Sequence, residues 1–298
     1  MSGWTHAPVL ARETMRLLIA NPDGIYLDGT LGLGGHGKIL MSTLGPQGRL
    51  IGLDKDAAAL AMARQNIGDA RLQAFQASYL DAPRIMKQLG INGFDGALFD
   101  LGLSSYQLDD AERGFSFLRD GPLDMRFDNS AGPGAADIVN GWPADRLEEI
   151  LLEYGEERNA PAIALAICTA RRAGRIESTT ALARVIESVC PRAGRIHPAT
   201  KTFQALRIAV NDELNTVRAL PSMLKGIILP KGRAAVLTFH STEDRIIKYG
   251  FKALAESGGW RLVNKKVIEP AWEEIKANPR ARSAKLRVIE RAGAEAAI

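Results

Sequence analysis

The chain has 298 residues, 46% hydrophobic and 24% charged, a composition that excludes general disorder and supports a packed core. Its formal charge of +4 permits a nucleic-acid partner without requiring one. Only two cysteines occur, Cys168 and Cys190, and they form no CxxC pair, which fits reduced structural thiols and argues against a thiolate zinc site.

The segment from Met1 to Arg16 lacks the apolar core of a signal peptide. No run approaches the roughly 18–20 apolar residues that span a bilayer. The expectation is a soluble, cytoplasmic protein. Ile25 to Asp28 reads as a buried strand that runs straight into glycines. Lys38 to Leu44 reads as a helix, closed by the turn Gly45-Pro46-Gln47-Gly48. A strand over Arg49–Asp54 and an alanine-rich helix over Asp56–Gln65 follow. A third strand covers Arg71–Gln76, a short helix Pro83–Leu89, and a fourth strand Phe94–Asp100. Strands alternating with helices at this spacing predict a parallel sheet with right-handed crossovers, and such sheets bind ligands at the carboxyl ends of their strands. Asp28, Asp54 and Asp100 each close one of these strands.

From about Ser104 to Lys201 the pattern is helical. Leu147, Ile150, Leu151 and Tyr154 mark one amphipathic helix, Ile163 and Ile167 a second, and Leu182, Val185, Ile186 and Val189 a third with Ser178 or Thr179 as its cap. One long periodic helix is predicted through Phe203, Leu206, Val210, Leu214, Val217, Leu220 and Leu224. Strand character returns over Arg233–Phe239. A helix over Thr242–Ala255 has Ser241 and Asp244 as its expected capping box, and Trp260–Asn264 and Lys285–Glu290 read as closing strands. The fold class is α/β: a sheet domain over residues 1–104 and 202–298, interrupted by an all-helical insertion over 105–201.

The segment Asp28-Gly29-Thr30-Leu31-Gly32-Leu33-Gly34-Gly35-His36-Gly37 lets a ligand approach the backbone, because its glycines put no Cβ in the way. The following helix aims free N–H groups at the same place. Dinucleotide sites usually keep an apolar residue where Asp28 stands. An acid there suits the ammonium of S-adenosylmethionine better, and Asp54 is placed to accept two ribose hydroxyls. A dinucleotide, and so a dehydrogenase, stays open on these residues.

Asp100 begins Asp100-Leu101-Gly102-Leu103-Ser104-Ser105. An acceptor at this place can orient an exocyclic amine and raise electron density on its nitrogen. Methylation at pyrimidine carbon would need a cysteine nearby, and both cysteines fall in the helical insertion. A DNA amine methyltransferase would carry consecutive prolines after the acid, where this chain has Leu101-Gly102-Leu103. An assembly factor acting by binding alone is a further alternative. His36 and His240 follow predicted strands on the ligand side, and no histidine pair has metal-ligand spacing, so no metal is expected. Arg113-Gly114-Phe115-Ser116-Phe117 and Asp120 to Arg126 suit a lid or a platform for a flipped base. The expected substrate contacts are Arg113, Phe115, Arg126, His240, Arg280 and Arg282, with Lys285 beside them.

The segments His6-Ala-Pro-Val-Leu, Asp28 to Gly37, Asp100-Leu-Gly-Leu-Ser-Ser-Tyr-Gln-Leu-Asp, Arg113-Gly-Phe-Ser-Phe and Gly121-Pro-Leu-Asp-Met-Arg, taken together, are familiar. With Tyr154-Gly-Glu-Glu-Arg, the run from His197 to Ile208, Phe239-His-Ser-Thr-Glu-Asp-Arg and the run from Asn278 to Arg287, the chain closely resembles the bacterial small-subunit ribosomal RNA cytosine-N4 methyltransferases, the RsmH or MraW family. The resemblance implies a class I, Rossmann-like methyltransferase sheet with an inserted helical domain. It implies S-adenosylmethionine as cofactor and a decoding-region cytidine as substrate, in free ribosomal RNA or the small (30S) subunit, with a homodimer as one quaternary option. By position it assigns cofactor contacts to Gly34, Gly35, His36, Asp54, Tyr79, Asp100 and Gln107; Asp28 and Gly32 join them from the loop's own chemistry. Thr242 and Lys201 stand where the family usually has leucine and arginine.

Overall fold

A computed structural model gives the structure and describes residues 8–192 and 197–293. His6 lies outside them. The chain divides into two compact units, Met1–Gly102 with Asn215–Ile298, and Leu103–Leu214.

The first unit opens with α1 (Ala11–Leu18), β1 (Ile25–Asp28), α2 (Gly35–Thr43), β2 (Arg49–Asp54), α3 (Ala57–Ile67), β3 (Leu72–Gln76), α4 (Ala82–Gln88) and β4 (Phe94–Asp100). Helix α2 starts three residues earlier than the sequence predicts. Gly34 takes a left-handed conformation (φ 81°) at its N-cap, so the helix begins among the glycines and Gly35, His36 and Gly37 form its first turn. Asp56 caps α3 by accepting from the backbone N–H groups of Ala58 (3.0 Å) and Ala59 (3.2 Å).

The helical unit holds α5 (Ser105–Asp109), α6 (Ala135–Gly141), α7 (Ala144–Glu153), α8 (Ala160–Ala173), α9 (Thr179–Val189) and α10 (Ala199–Asn211). Ser178 caps α9, accepting from Ala181 N–H at 3.3 Å. The core contains Leu147, Ile150 and Leu151 of α7, Ile163 and Ile167 of α8, and Leu182 and Ile186 of α9. It also contains Ala199, Phe203, Ala205 and Leu206 of α10. That burial carries the unit past the expected limit of residue 201.

The long helix predicted through Leu224 is two helices, α10 and α11 (Glu213–Ile227). The break is at Asp212, whose φ of 53° is left-handed. Aspartate tolerates that conformation better than most residues, and the apolar period runs across it unbroken, so the spacing could not show the break.

The first unit then resumes with β5 (Ile228–Thr238), α12 (Ser241–Glu256), β6 (Trp260–Leu262), α13 (Trp272–Ala277) and β7 (Lys285–Arg291). The strands form one sheet in the order β3-β2-β1-β4-β5-β7-β6. The first five are parallel; β7 runs antiparallel to β5 and β6. Each central strand sends alternate residues to opposite faces, as the two-residue strand period requires. Leu27, Ile51, Ala97, Phe99, Ala234 and Val236 pack with Val217, Leu220 and Leu224 of α11 and Ile247 and Phe251 of α12. Tyr26, Leu50, Leu98, Ala235 and Leu237 pack with Met15 and Leu18 of α1 and Leu40 and Met41 of α2. Chain order reverses between β1 and β4, and a crevice opens at the carboxyl ends of the strands at such a switch point.

The expected Ser241–Asp244 capping box is absent. His240 is the N-cap of α12, with Nδ1 facing Glu243 N–H at 3.5 Å. Asp244 is instead held by Arg287 (2.7 Å) and Lys285 (3.4 Å), which pull its carboxylate toward β7. Among the described residues no helix is long and apolar enough to cross a membrane.

Leu98 is wholly buried between β4 and the α1–α2 layer, whereas Leu118 is 84% exposed. Leu98→Ala is expected to lower unfolding free energy by about 2–5 kcal/mol in urea titrations. Leu118→Ala should stay within about 0.5 kcal/mol of the parent. Equal losses would contradict the two-faced core.

Candidate functional site

The ends of β1, β2 and β4 carry Asp28, Asp54 and Asp100, and the sheet pairing makes these strands neighbours, in the order β2-β1-β4. Backbone bonds fix the loop between them. Gly29 N–H donates to Leu98 O at 2.8 Å and Leu31 N–H to Leu53 O at 2.8 Å, so the loop leaves β1 pinned to both flanking strands. The Asp100 N–H donates to Thr30 Oγ1 at 2.6 Å, which ties the end of β4 to the same loop. Gly32 N–H donates to Asp54 Oδ2 at 2.7 Å, and Asp56 N–H to Asp54 Oδ1 at 2.9 Å. Thr30 N–H donates to Asp28 Oδ1 at 3.2 Å.

Two glycines are demanded by geometry. Gly32 has φ +52°, and a Cβ there would meet nothing nearer than Thr30 O at 3.9 Å, so its outer side is open. Gly34 has φ +81°, and a Cβ there would come within 2.9 Å of Ile67. The first turn of α2 follows with its unpaired N–H groups at the mouth of this loop.

Burial sets the electrostatics. Asp28 is buried; desolvation pushes its pKa up to about 7, against the Thr30 N–H bond and with added repulsion from Asp100 and Asp54. Asp54 is also raised by desolvation, while the N–H groups of Asp56 and Gly32 pull it down. Asp100 is pushed up to about 6 by desolvation; the Gly102 N–H opposes this and the charge of Glu243 adds to it. His36, buried in the first turn of α2, is lowered to about 4 by desolvation and is neutral near pH 7. Its Nε2 stands 3.5 Å from Asp100 Oδ2, too far for a good hydrogen bond.

Asp28 Oδ2, Asp100 Oδ1 and His36 Nδ1 are buried polar atoms without a hydrogen-bond partner among the described residues. Buried polar groups are normally paired, so unpaired ones gathered at one end of the sheet call for a ligand that completes them. Tyr79 follows β3 in a short 3₁₀ turn, and its ring meets Phe99 edge-on at 5.5 Å between centroids. The donor set suits S-adenosylmethionine: acids for its ammonium and ribose, an aromatic ring for its adenine, and no requirement for a phosphate site. Among the described residues no cluster of acids, histidines or cysteines is arranged to hold a metal ion.

A profile of the MraW methylase family matches residues 3–292. The chain belongs to the MraW methylase family. It is therefore a methyltransferase with S-adenosylmethionine as its cofactor, and its sheet order is that of a Rossmann-like fold. It is 55% identical over 292 residues to the ribosomal RNA small subunit methyltransferase H of Elusimicrobium minutum (strain Pei191), covering 98% of this chain and 100% of that protein. It is 46% identical over 315 residues to the protein of the same name from Trichlorobacter lovleyi, again covering 98% and 100%. A solved rRNA methylase from Streptococcus thermophilus aligns with a TM-score of 0.41 and 10% identity, over 95% of this chain and 93% of that one.

The structure thus brings Asp28, Gly32, Gly34, Gly35, His36, Asp54, Tyr79 and Asp100 to one end of one sheet, with His240 at the end of β5. Gln107 belongs to the helical unit, where its Oε1 accepts from Ser104 N–H (3.2 Å) and Ser104 Oγ accepts from Gln107 N–H (3.1 Å), a capping box for α5.

Three of the expected RNA contacts are engaged by their own unit. Arg113 is buried, and its Nη2 donates to the carbonyls of Arg126 and Phe127, each at 3.0 Å. Phe115 is buried in the helical core and stacks on Phe127 at 5.6 Å. Arg126 grips Asp124 through two nitrogens, at 2.6 and 3.1 Å, and donates to Gly132 O at 3.1 Å. These side chains bind their own loop. Lys285 is held near Asp244, as described above. Arg280 and Arg282 are exposed in the 3₁₀ turn before β7.

Thr30 and Glu243 are site residues that sequence reasoning missed. Thr30 had a signal in its place inside the glycine loop; Glu243 had none, because its role depends on a cap that the pattern assigned to other residues.

Asp28→Asn preserves shape and removes the charge. Titration calorimetry at pH 8 should show S-adenosylmethionine bound about 10–100-fold more weakly, the loss of a charge-assisted hydrogen bond. Affinity within twofold of the parent would remove Asp28 from the ammonium site. Gly34→Ala should cost about 1–3 kcal/mol of stability in urea, since alanine is strained at that φ.

Proposed function

We propose that the chain methylates the exocyclic N4 amine of a decoding-region cytidine in small-subunit ribosomal RNA. The observation that carries this reading is Asp100: a carboxylate at the switch point of the sheet, with Oδ1 buried and unpaired, beside a methyl-donor loop. The relatives' names support ribosomal RNA of the small subunit as substrate class. The sequence resemblance supports cytidine, N4 and the decoding region. The setting that follows is cytoplasmic, with ribosomal RNA or the small-subunit particle as partner.

S-adenosylmethionine supplies an electrophilic methyl group on a sulfonium. Every other contribution comes from the chain. Asp28 holds the ammonium, Asp54 the ribose hydroxyls, and Tyr79 the face of the adenine. Asp100 accepts a hydrogen bond from the cytidine amine. That contact counters delocalisation of the nitrogen lone pair into the ring and aims it along the line of transfer. With the donor bound, Asp100 would hold the amine during transfer, and the methylated nitrogen would give up its proton to water. Carbon-5 transfer would need a thiolate to attack the base first. Cys168 and Cys190 both belong to the helical unit, in α8 and at the C-cap of α9. The exposed Arg280 and Arg282 are proposed as phosphate contacts.

The test incubates the chain and methyl-labelled S-adenosylmethionine with unmethylated small subunits, then digests the RNA to nucleosides. Label is expected in N4-methylcytidine. Label on carbon-5, or on protein alone, would overturn the reading. Asp100→Asn should lower kcat by about 100-fold or more in the same assay.

A further inference from the structure

His240 and Glu243 stand together just past the end of β5, and the proposed chemistry does not use them. β5 pairs with β4 so that Leu237 lies opposite Asp100, which places residues 238–240 just past the same sheet end. Two contacts bind these segments together. Leu101 N–H donates to Leu237 O at 3.0 Å, and Gly102 lies so close to the Phe239 ring that a Cβ there would come within 2.7 Å of it.

Glu243 then reaches back over the start of α12. Its side chain is 1% exposed, its Oε2 accepts from Phe239 N–H at 3.0 Å, and its Oε1 stands 3.0 Å from His240 Nε2. Its own backbone N–H faces His240 Nδ1 at 3.5 Å. Glu243 therefore lies against both sides of the imidazole, through a long N–H contact at Nδ1 and, at Nε2, a close approach that is not a hydrogen bond. That N–H is long but points at Nδ1, which calls for a lone pair there and leaves the ring proton to Nε2, an atom with no hydrogen-bond partner among the described residues. A carboxylate this deeply buried is costly unless its bonds are kept, so the arrangement is built into the fold rather than a surface contact.

We propose that Glu243 is a positioning residue for methyl transfer, fixing the His240 ring at the mouth of the site and setting the electrostatic surroundings of Asp100. This rests on the amine-methylation reading above. Glu243 is a negative charge near Asp100 from a second element, and it adds to the raised proton affinity of that acid. Among the described residues, the other titratable groups facing Asp100 are Asp28 from β1 and His36 from α2. Asp28 titrates in the free enzyme, and His36 is neutral over the working range.

The experiment compares the parent and Glu243→Gln in kcat/KM for small subunits across pH 5–9. It is run at saturating S-adenosylmethionine, which takes Asp28 out of the profile. Removing the like charge should move the acid limb about half a unit or more to lower pH. It should also lower kcat by about tenfold, with the Kd for S-adenosylmethionine within twofold of the parent. Glu243→Asp should recover part of the rate. A variant with the parent's limb and kcat would overturn the proposal while the parent's activity still stands; an inactive parent would instead overturn the amine-methylation reading. The parent alone supplies a second measurement, independent of whether the variant folds. Nitrogen chemical shifts of the His240 ring at pH 8 should show Nδ1 without a proton, and a proton on Nδ1 would overturn the assignment.

Discussion

Asp28, Asp54 and Asp100 crowd three neighbouring strand ends, and desolvation makes each a reluctant anion. Carboxylates placed this way raise one another's proton affinity and gain little from solvent. The protein offsets part of that cost with backbone N–H groups. Thr30 serves Asp28, Gly32 and Asp56 serve Asp54, and Gly102 serves Asp100. It does not complete the set, since Asp28 Oδ2 and Asp100 Oδ1 keep no partner among the described residues. A cationic donor and an amine acceptor would complete it, each bound where the fold alone leaves a polar atom unsatisfied.

The glycine loop makes the crowding tolerable. Its turn is pinned through Gly29 and Leu31 to β4 and β2, and through Thr30 to the Asp100 N–H. Asp28 and Asp100 are consequently held by one rigid segment, and neither needs to move for the other to act. Rigid placement of this kind is what turns modest groups into an effective site, because the orientation cost is met during folding.

Much of this was legible in the chain. Asp28, Asp54 and Asp100 are visible as acids closing apolar runs, and the alternation of strands with helices fixes which end of the sheet they share. The rest depends on side-chain reach that no spacing encodes. Thr30 binding the backbone of Asp100 joins residues 70 positions apart. Asp244 looks like a cap in sequence, yet Arg287 and Lys285 on another strand claim it, and His240 caps the helix instead. Arg113, Phe115 and Arg126 look like an RNA surface because their segment has no period. The same absence of period means the loop must be held by its own side chains, and these three do that. Asp212 breaks a helix without breaking its apolar repeat.

The central claim is that the strand-end acids are completed by a cation, and proton release on cofactor binding tests it most directly. At pH 6.5 the free Asp28, with its pKa near 7, is largely protonated, and a bound ammonium should force it to ionise. Calorimetry of S-adenosylmethionine binding in buffers of differing ionisation enthalpy should therefore show release on the order of one proton at pH 6.5, falling toward none at pH 8. Asp28→Asn should abolish most of it. Binding with no proton release at pH 6.5, or with proton uptake, would contradict the account.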